Sequence, residues 1–254
     1  MTDPIDIDRF ARHIVLKEIG GPGQQALAKA HIAIVGAGGL GAPAALYLAA
    51  AGVGAITLID PDVVSVDNLQ RQILFATRDI GKSKAKAGAK ALRALNPAVR
   101  LYPEIRALAA DNAEDLIADA DLVLDGCDNF QTRFAVNQAC LKTGKPLVSG
   151  AVGRWDGQVS VFNTGEDSPC YRCWVPEIPP DAETCAQVGI VGALTGVVGS
   201  MMALEAIKHI CGAGKTLDGR VFLLDSLGAD ARTVTLRKDP KCPACGEAQA
   251  EGAD

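Results

Sequence analysis

The sequence lacks the features that mark membrane, secreted and nucleic-acid-binding proteins. No uninterrupted apolar run approaches the ~20 residues that a membrane-spanning helix needs. No run of lysine and arginine reaches five residues and the net charge is −5, which argues against nucleic acid as a partner. The acidic N-terminus has neither the basic nor the apolar region of a signal peptide, so we expect a cytoplasmic protein.

Internal repeats, low-complexity linkers and clustered histidines are also missing. With 254 residues, of which 48% are hydrophobic and 22% charged, the chain has the composition of an ordinary globular protein. We therefore predict one continuous domain over residues 1–254. His13, His31 and His209 are scattered along the chain, so we expect them to be structural rather than catalytic.

A glycine-rich turn follows the first predicted strand. Residues 32–35 are a short apolar run, and Gly36, Gly38 and Gly41 follow with the spacing Gly-x-Gly-x-x-Gly before an alanine-rich helical stretch. This order is typical of a nucleotide-binding βαβ unit, in which the helix N-terminus offers free N–H groups to a phosphate. The turn indicates a dinucleotide or ATP and leaves both open.

Two charged residues follow at places where such folds bind nucleotides. Asp60 ends the second predicted strand, 55–60, and lies 19 residues beyond Gly41, where an acid binds a ribose hydroxyl. A long connection, 61–81, precedes a helix predicted over 83–95, with Ser83 as its N-cap. Lys84 lies in the first turn of that helix, where a cation is locally unfavourable, which marks it as a site candidate.

The remaining elements predict an α/β fold with a Rossmann-like, doubly wound, mostly parallel sheet that antiparallel strands continue. A helical arm over 1–30, broken at Gly20–Gly23, precedes a nucleotide-binding part over 31–150, and residues 151–254 form the rest. The further predicted strands are 99–105, 122–125, 146–149, 158–162, 219–225 and 232–237, and the further helices are 111–118, 130–142 and a buried one within 189–210. Because ligands bind beyond the carboxyl ends of parallel strands, we expect Gly38, Asp60 and Asp128 to lie together at that edge of the sheet.

Two Cys-x-x-Cys pairs predict a metal site. Cys170 and Cys173, with Cys242 and Cys245, supply four thiolates, which suits tetrahedral zinc. Four protein ligands leave no position for water, so the zinc is expected to be structural. The alternative is a redox dithiol, although neither pair opens a helix after a strand. Of the other four cysteines, Cys127, Cys140 and Cys211 are expected in the core, and Cys185, in an acidic proline-rich segment, is a candidate nucleophile.

In combination and order, these motifs resemble the ubiquitin-activating-enzyme-like adenylyltransferases of the MoeB/ThiF/HesA family, closest to MoeB-type members. The resemblance covers about residues 9–246. It rests on Arg9-Phe-Ala-Arg12, Gly36-Ala-Gly-Gly-Leu-Gly41, Asp60-Pro-Asp62, Asp67-Asn-Leu-Gln-Arg-Gln72, Gly81-Lys-Ser-Lys84, Asp125-Gly-Cys-Asp128-Asn129 and the two cysteine pairs. Phe10 and His13 depart from the tyrosine and glutamine that are usual in the family.

The resemblance implies an ATP- and Mg²⁺-dependent adenylylation of the C-terminal Gly-Gly carboxylate of a small ubiquitin-like sulfur carrier, with release of pyrophosphate, in molybdopterin or thiamin biosynthesis. It also implies a homodimer in which Arg12 reaches into the partner's active site. The implied nucleotide-binding residues are Gly36, Gly38, Gly39, Gly41, Asp60, Asn68, Gln70, Arg71, Lys84, Asp128 (which would hold magnesium) and Asn129. Cys185 matches the Thr-Cys of the crossover loop, which the thiamin branch is thought to use in sulfur handling.

The implied chemistry agrees with the residue types. A carboxylate that attacks an α-phosphate brings two anions together, so the site must supply positive charge rather than a general base. Arg12, Arg71, Lys84 and a magnesium ion at Asp128 would supply it. Two alternatives stay open: an NAD-dependent oxidoreductase built on the same turn, and a zinc-stabilised binding module without catalysis. The first would leave Arg71, Lys84 and Asp128 without roles.

Overall fold

The computed structural model describes residues 5–180 and 189–246. Its helices are α1 (Ile7–Ile14), α2 (Gly20–Lys29), α3 (Gly41–Ala50), α4 (Lys84–Leu95), α5 (Ala113–Ile117), α6 (Phe130–Thr143), α7 (Tyr171–Trp174) and α8 (Gly192–Cys211). Its strands are β1 (His31–Val35), β2 (Ala55–Ile59), β3 (Arg100–Glu104), β4 (Leu122–Asp125), β5 (Leu147–Gly153), β6 (Asp156–Phe162), β7 (Arg220–Asp225) and β8 (Asp230–Thr235). Two 3₁₀ turns, Val66–Asn68 and Thr77–Asp79, lie in the connection between β2 and α4.

The strands form one sheet in the order β3-β2-β1-β4-β5-β6-β7-β8. The first five are parallel, and β5 to β8 pair antiparallel. The predicted α/β class, with antiparallel strands continuing a parallel sheet, is therefore confirmed. The chain leaves β1 toward β2 on one side and returns to β4 on the other, and this reversal opens a crevice at the carboxyl ends of β1 and β4.

Apolar layers cover both faces of the parallel part. Ile32 and Ile34 of β1 belong to one buried cluster, with side chains of α3, α4 and α8. Ala33 and Val35 point to the other face and belong to a second cluster, with side chains of α5 and α6. A strand buried on both faces reads as a continuous apolar run, which is how 32–35 appears in the sequence.

Helix α8 is the central helix of the first layer. Its 20 residues are long and apolar enough to cross a membrane, but 44% of an apolar 18-residue stretch of the helix is buried inside the protein. The helix packs against α3, β5 and β6. It ends at Gly212, which has the left-handed conformation typical of a helix C-terminus (φ 62°).

The prediction of a helix break at Gly20–Gly23 was wrong. These residues form the first turn of α2, and the break lies before them. Gly20 has φ 58° and donates from its N–H to the Leu16 carbonyl over 2.7 Å, so it closes the turn that precedes α2 in the left-handed conformation that glycine tolerates. Pro22 is tolerated because N–H groups in a first helical turn have no intrahelical partner.

Candidate active site

A cavity of about 820 Å³ lies at the carboxyl ends of the parallel strands. We call it the main cavity. Its wall contains residues that follow β1, β2 and β4, and its volume is in the range of small-molecule sites, roughly 300–1,000 Å³. Of the nucleotide-site residues predicted from the sequence, the wall contains Gly36, Gly38, Gly39, Asp60, Arg71, Lys84, Asp128 and Asn129.

The glycine turn has the geometry that its spacing predicts. Gly36 has φ 88°, and its N–H donates to the Ile59 carbonyl over 2.9 Å, so the turn is tied to β2. A Cβ at Gly41 would overlap with the Gly36 carbonyl oxygen, which is why α3 can pack so closely against the turn. A Cβ at Gly38 would lie no closer than 3.6 Å to any group, the nearest being Gln72 Nε2, so the backbone is open to a ligand. Gly41 itself lies outside the cavity wall.

Asp60 is almost fully buried at the base of the cavity. Its Oδ2 accepts from the Ala37 N–H over 2.8 Å and its Oδ1 accepts from the Asp62 N–H over 2.9 Å. Burial raises the pKa of this carboxyl, although Lys84 and the two N–H donors oppose that shift. Each carboxylate oxygen keeps a lone pair, so the group can still accept a hydrogen bond from a hydroxyl.

Lys84 enters the cavity wall from the N-terminus of α4. Its Nζ lies 2.9 Å from Asp62 Oδ2, and its side chain is 8% exposed whereas that of Asp62 is 65% exposed. Ser83 caps the helix by accepting from the Lys86 N–H over 3.4 Å. The ion pair holds the buried ammonium and leaves it two further N–H donors, which suits an anion in the cavity.

Arg71 is half-buried in the wall and donates to the Asp67 carbonyl over 3.1 Å. Two neighbours that the sequence placed in the site lie outside the wall. Asn68 is buried and closes the turn from Ser65, accepting from the Ser65 N–H over 3.4 Å. Gln70 is exposed, and its carbonyl lies directly against Gly192 of α8. The contacts of both residues support the loop that carries Arg71.

Asp128 and Asn129 follow β4 in a short loop before α6. Asp128 is exposed in the wall, and within the described residues its carboxylate makes no hydrogen bond or ion pair. A free carboxylate beside a phosphate-binding turn is an oxygen ligand of the kind that Mg²⁺ prefers. Asn129 is the N-cap of α6 and accepts from the Thr132 N–H over 2.8 Å.

A buried ion pair beneath this loop was missed from the sequence. Asp125 is fully buried, and its Oδ2 lies 3.0 Å from Nη1 of Arg133. Burial lowers the pKa of Arg133, but Asp125 together with Cys127, Tyr171 and Asp128 outweighs it and the net shift is upward, so the guanidinium stays charged. Burial and Asp125 raise the pKa of the Cys127 thiol well above its usual range. An aspartate that ends an apolar strand was the available signal for a buried cation.

Three further wall residues also escaped prediction. Gln72 is 4% exposed, and its Oε1 has no partner among the described residues. Trp174 donates from Nε1 to Gln158 Oε1 over 3.2 Å, and both line the cavity. Gln72 ends the motif over 67–72 that carries Arg71, whereas the places of Trp174 and Gln158 in the wall depend on tertiary packing that no local motif encodes.

The four predicted zinc ligands converge. Their sulfur atoms all lie within 4.8 Å of one another, with Cys170 and Cys242 at 3.6 Å and Cys173 and Cys245 at 3.5 Å. Zn–S bonds of about 2.3 Å in a tetrahedron place sulfur atoms about 3.8 Å apart, so the cluster fits zinc. A shared hydrogen bond with Cys170 lowers the pKa of Cys173 to about 5. We call these residues the thiol cluster.

The other predicted residues lie elsewhere. Arg12 is exposed on α1 and does not line the cavity of this chain. Cys127 and Cys140 are buried as predicted, and Cys211 is half-buried. Among the histidines, His13 Nδ1 pairs with Gln24 and His31 Nε2 pairs with Thr57, at 3.0 Å and 2.8 Å. Cys185 lies outside the described residues.

Residues 10–244 match the ThiF family. The chain belongs to the ThiF family. The sulfur carrier protein adenylyltransferase of Thermus thermophilus is 46% identical over 248 residues, which are 95% of this chain and 92% of that protein. The SAMP-activating enzyme E1 of Haloferax volcanii is 42% identical over 247 residues, which are 96% and 91% of the two chains.

Two further comparisons are with a longer relative and with a solved structure that shares only the fold. The probable adenylyltransferase/sulfurtransferase MoeZ of Mycobacterium tuberculosis is 45% identical, and this ThiF-family chain spans 62% of its length. Among solved structures, Escherichia coli MccB with ATP superposes with a TM-score of 0.80 at 21% identity, covering 96% of this chain and 75% of MccB. At that identity the likeness shows only that the two share a fold.

Proposed function

We propose that this protein uses ATP and Mg²⁺ to adenylylate the C-terminal carboxylate of a small ubiquitin-like sulfur carrier that ends in Gly-Gly, and that it releases pyrophosphate. The names of its relatives support an adenylyltransferase that acts on a sulfur carrier protein. Molybdopterin or thiamin biosynthesis is the proposed pathway, and the cytoplasm is the proposed location. Residues 1–254 are proposed to act as one domain.

The observation that carries this proposal is the set of charges around the glycine turn. Lys84, Arg71 and Asp128, whose carboxylate has no partner among residues 5–180 and 189–246, share one cavity wall with Gly38 and Asp60. Hydride transfer from a nicotinamide has no use for that set, whereas displacement at an α-phosphate needs cations around the phosphates.

The protein's own residues would divide the work in the following way. Asp60 accepts from the ribose, and the backbone at Gly38 and Gly39 faces the phosphates. Lys84 and Arg71 hold the phosphate oxygens and stabilise the charge that builds on the pyrophosphate as it leaves. Asp128 would hold Mg²⁺, which supplies further positive charge when bound.

A second, shallower groove offers a route for the carrier's tail. It has a volume of about 550 Å³ and lies over β5 to β8. Ala151, Val152 and Gln158 line both this groove and the main cavity, so the two are continuous. We propose that the tail runs along the groove and ends in the cavity, where its carboxylate meets the α-phosphate.

We also propose a homodimer. Val15 and Leu16, just after α1, are 75% and 48% exposed, and Val197 and Leu204 on α8 are 48% and 58% exposed. Exposed aliphatic side chains on two helical regions support an interface between copies. Arg12 lies on α1 close to Val15 and Leu16, which supports its reaching a partner's cavity.

The thiol cluster is proposed to hold a structural zinc. Cys173 lies in α7 and Cys170 directly precedes it, while Tyr171 and Trp174 of that helix line the main cavity. Zinc would therefore fix a wall of the cavity without touching substrate. A role for Cys185 in sulfur transfer is proposed only for a thiamin-type pathway.

Pyrophosphate release tests this function. The purified protein is incubated with ATP, Mg²⁺ and a carrier that ends in Gly-Gly, and pyrophosphate is measured with a coupled assay. Release that requires the carrier, and that stops when its last glycine is removed, is the expected result. Reduction of NAD⁺ by an added hydroxyl substrate in the presence of the protein, with ATP inert, would contradict the proposal.

A further inference from the structure

Arg133 lies buried beneath the loop that carries Asp128, and it ties together three parts of the chain. Its guanidinium donates to Asp125 Oδ2 at 3.0 Å, Ser149 Oγ at 3.2 Å, Gly150 O at 2.9 Å and Cys127 O at 2.5 Å. These acceptors belong to the end of β4, to β5 and to the loop between β4 and α6. A planar guanidinium can reach several acceptors at fixed angles, which a lysine ammonium cannot do.

The bond to the Cys127 carbonyl bears on Asp128, which is the next residue. The Asp128 side chain makes no hydrogen bond or ion pair within the described residues, so the backbone, which fixes the position of its Cβ, decides which region the carboxylate can reach. That backbone is held on one side by Arg133 and by Asp125, whose Oδ1 accepts from the Cys127 N–H over 3.1 Å, and on the other by Asn129, the N-cap of α6. Arg133 itself starts from the first turns of α6 and lines the cavity.

We propose that Arg133 is a positioning residue, which holds the loop so that the Asp128 carboxylate faces the main cavity where a divalent cation would bind. The inference rests on the proposed function, because it assigns Asp128 to Mg²⁺. Groups that orient a metal ligand affect the metal only through that ligand, and their replacement typically lowers metal affinity or activity by on the order of 10- to 100-fold. A purely structural arginine would cost stability and leave that affinity alone.

The test compares ATP binding with and without Mg²⁺ in four proteins: the wild type, Arg133→Lys, Asp128→Ala and the double variant. Arg133→Lys keeps a positive charge beside Asp125 but cannot span the four acceptors. We expect it to reduce the Mg²⁺-dependent gain in ATP affinity by on the order of tenfold. In the Asp128→Ala background, the same change should have no further effect, since the group that it positions is gone.

Ser149→Ala is the matched control. The Ser149 hydroxyl bonds to Asp125 and Arg133 and, among the described residues, makes no hydrogen bond to the loop. Its loss should therefore lower the melting temperature and leave the Mg²⁺-dependent gain in ATP affinity unchanged. If Arg133→Lys fails to fold, Arg133→Met combined with Asp125→Asn replaces both charges at once and leaves no uncompensated buried ion. That double variant should show the same loss of the Mg²⁺-dependent gain.

Two results would overturn the inference. One is a Mg²⁺-dependent gain in ATP affinity that stays unchanged in the folded Arg133 variants. The other is a loss of that gain on replacement of Arg133 that is equally large with Asp128 and with Ala at position 128. A wild-type ATP affinity that does not respond to Mg²⁺ would overturn it as well. Failure of the proposed function is detected separately, as a wild-type protein that transfers no AMP to any carrier. The ATP-binding comparison of the four proteins therefore tests the role of Arg133, and the AMP-transfer assay tests the proposed function.

Discussion

The main cavity and the thiol cluster adjoin each other through α7, but they differ in what their polar groups leave unsatisfied. In the thiol cluster, four sulfur atoms face one another within 4.8 Å and can fill a metal's whole coordination shell. In the cavity, the Asp128 carboxylate and Gln72 Oε1 have no partner within the described parts of the chain. A cluster that is closed on itself stabilises the fold, whereas unpaired groups around a cavity are available to a ligand.

Replacement of Asp128 by alanine should have the largest effect on activity. It removes the free carboxylate, so adenylate formation is expected to fall by on the order of 100- to 1,000-fold. The melting temperature should stay unchanged, because the side chain is exposed and makes no hydrogen bond in the part of the chain that the structure describes. Pyrophosphate release and differential scanning calorimetry measure the two quantities.

Asp111→Ala, an exposed carboxylate outside the cavity wall, is the matched control and should keep full activity. An Asp128→Ala protein with normal turnover would remove Asp128 from the mechanism. An Asp128→Ala protein that loses both activity and stability would show that Asp128 has a structural role, as the thiol cluster is proposed to have.

Replacement of Cys242 by serine should show the reverse pattern. Cys242 is 3% exposed, and structural zinc contributes roughly 10 kcal/mol to folding, so the loss of one ligand should lower zinc content and melting temperature together. Metal analysis and thermal unfolding measure both. Cys211→Ser, a half-buried thiol outside the cluster, should retain zinc. Stoichiometric zinc with unchanged melting in the Cys242 variant would refute the ligand assignment.

Replacement of Lys84 by methionine removes the buried member of an ion pair whose other member is exposed. Asp62 is 65% exposed and stays solvated without its partner, so the fold should tolerate the change. ATP affinity should fall by roughly 10-fold or more, because a charged donor to the phosphates is lost. Lys82→Met removes an exposed lysine that pairs with Asp79 and is the control. Isothermal titration with ATP distinguishes them, and equal affinities would exclude Lys84 from the site.

Mixing Arg12→Ala and Arg71→Ala chains should give the smallest effect. If each site combines Arg71 of one chain with Arg12 of its partner, half of randomly mixed dimers have one intact site, which restores about a quarter of wild-type activity. Subunit exchange is verified by mass spectrometry of the intact dimers. Proven exchange with no recovered activity would contradict shared sites.

The sequence predicted those parts of the molecule in which local pattern and spacing carry the information. The apolar runs gave β1, β2 and β4, the spacing from Gly36 to Gly41 gave the turn, and the cysteine pairs gave the thiol cluster. These features depend on neighbours in the chain or on metal-ligand chemistry that residue type reveals.

The remaining features depend on contacts between distant segments. Arg133 reads as an ordinary helical residue until β4 and β5 bring Asp125 and Ser149 to it. Gly20–Gly23 reads as a break because local propensity disfavours a helix, but Gly23 packs against Cys211 of α8. Asn68 is grouped with Arg71 by its place in a motif; Arg71 lines the cavity and Asn68 does not, and a role of Asn68 in nucleotide binding stays a prediction. Propensity and motif position do not encode such packing.

The central claim is that the cavity transfers AMP to a protein carboxylate. Intact mass spectrometry of a Gly-Gly-ended carrier, incubated with the protein, ATP and Mg²⁺, tests it directly. The account predicts a carrier heavier by one adenylyl group at its C-terminus, which hydroxylamine removes and which the Asp128→Ala protein does not produce. A carrier of unchanged mass in the presence of folded wild-type protein and hydrolysed ATP would contradict it.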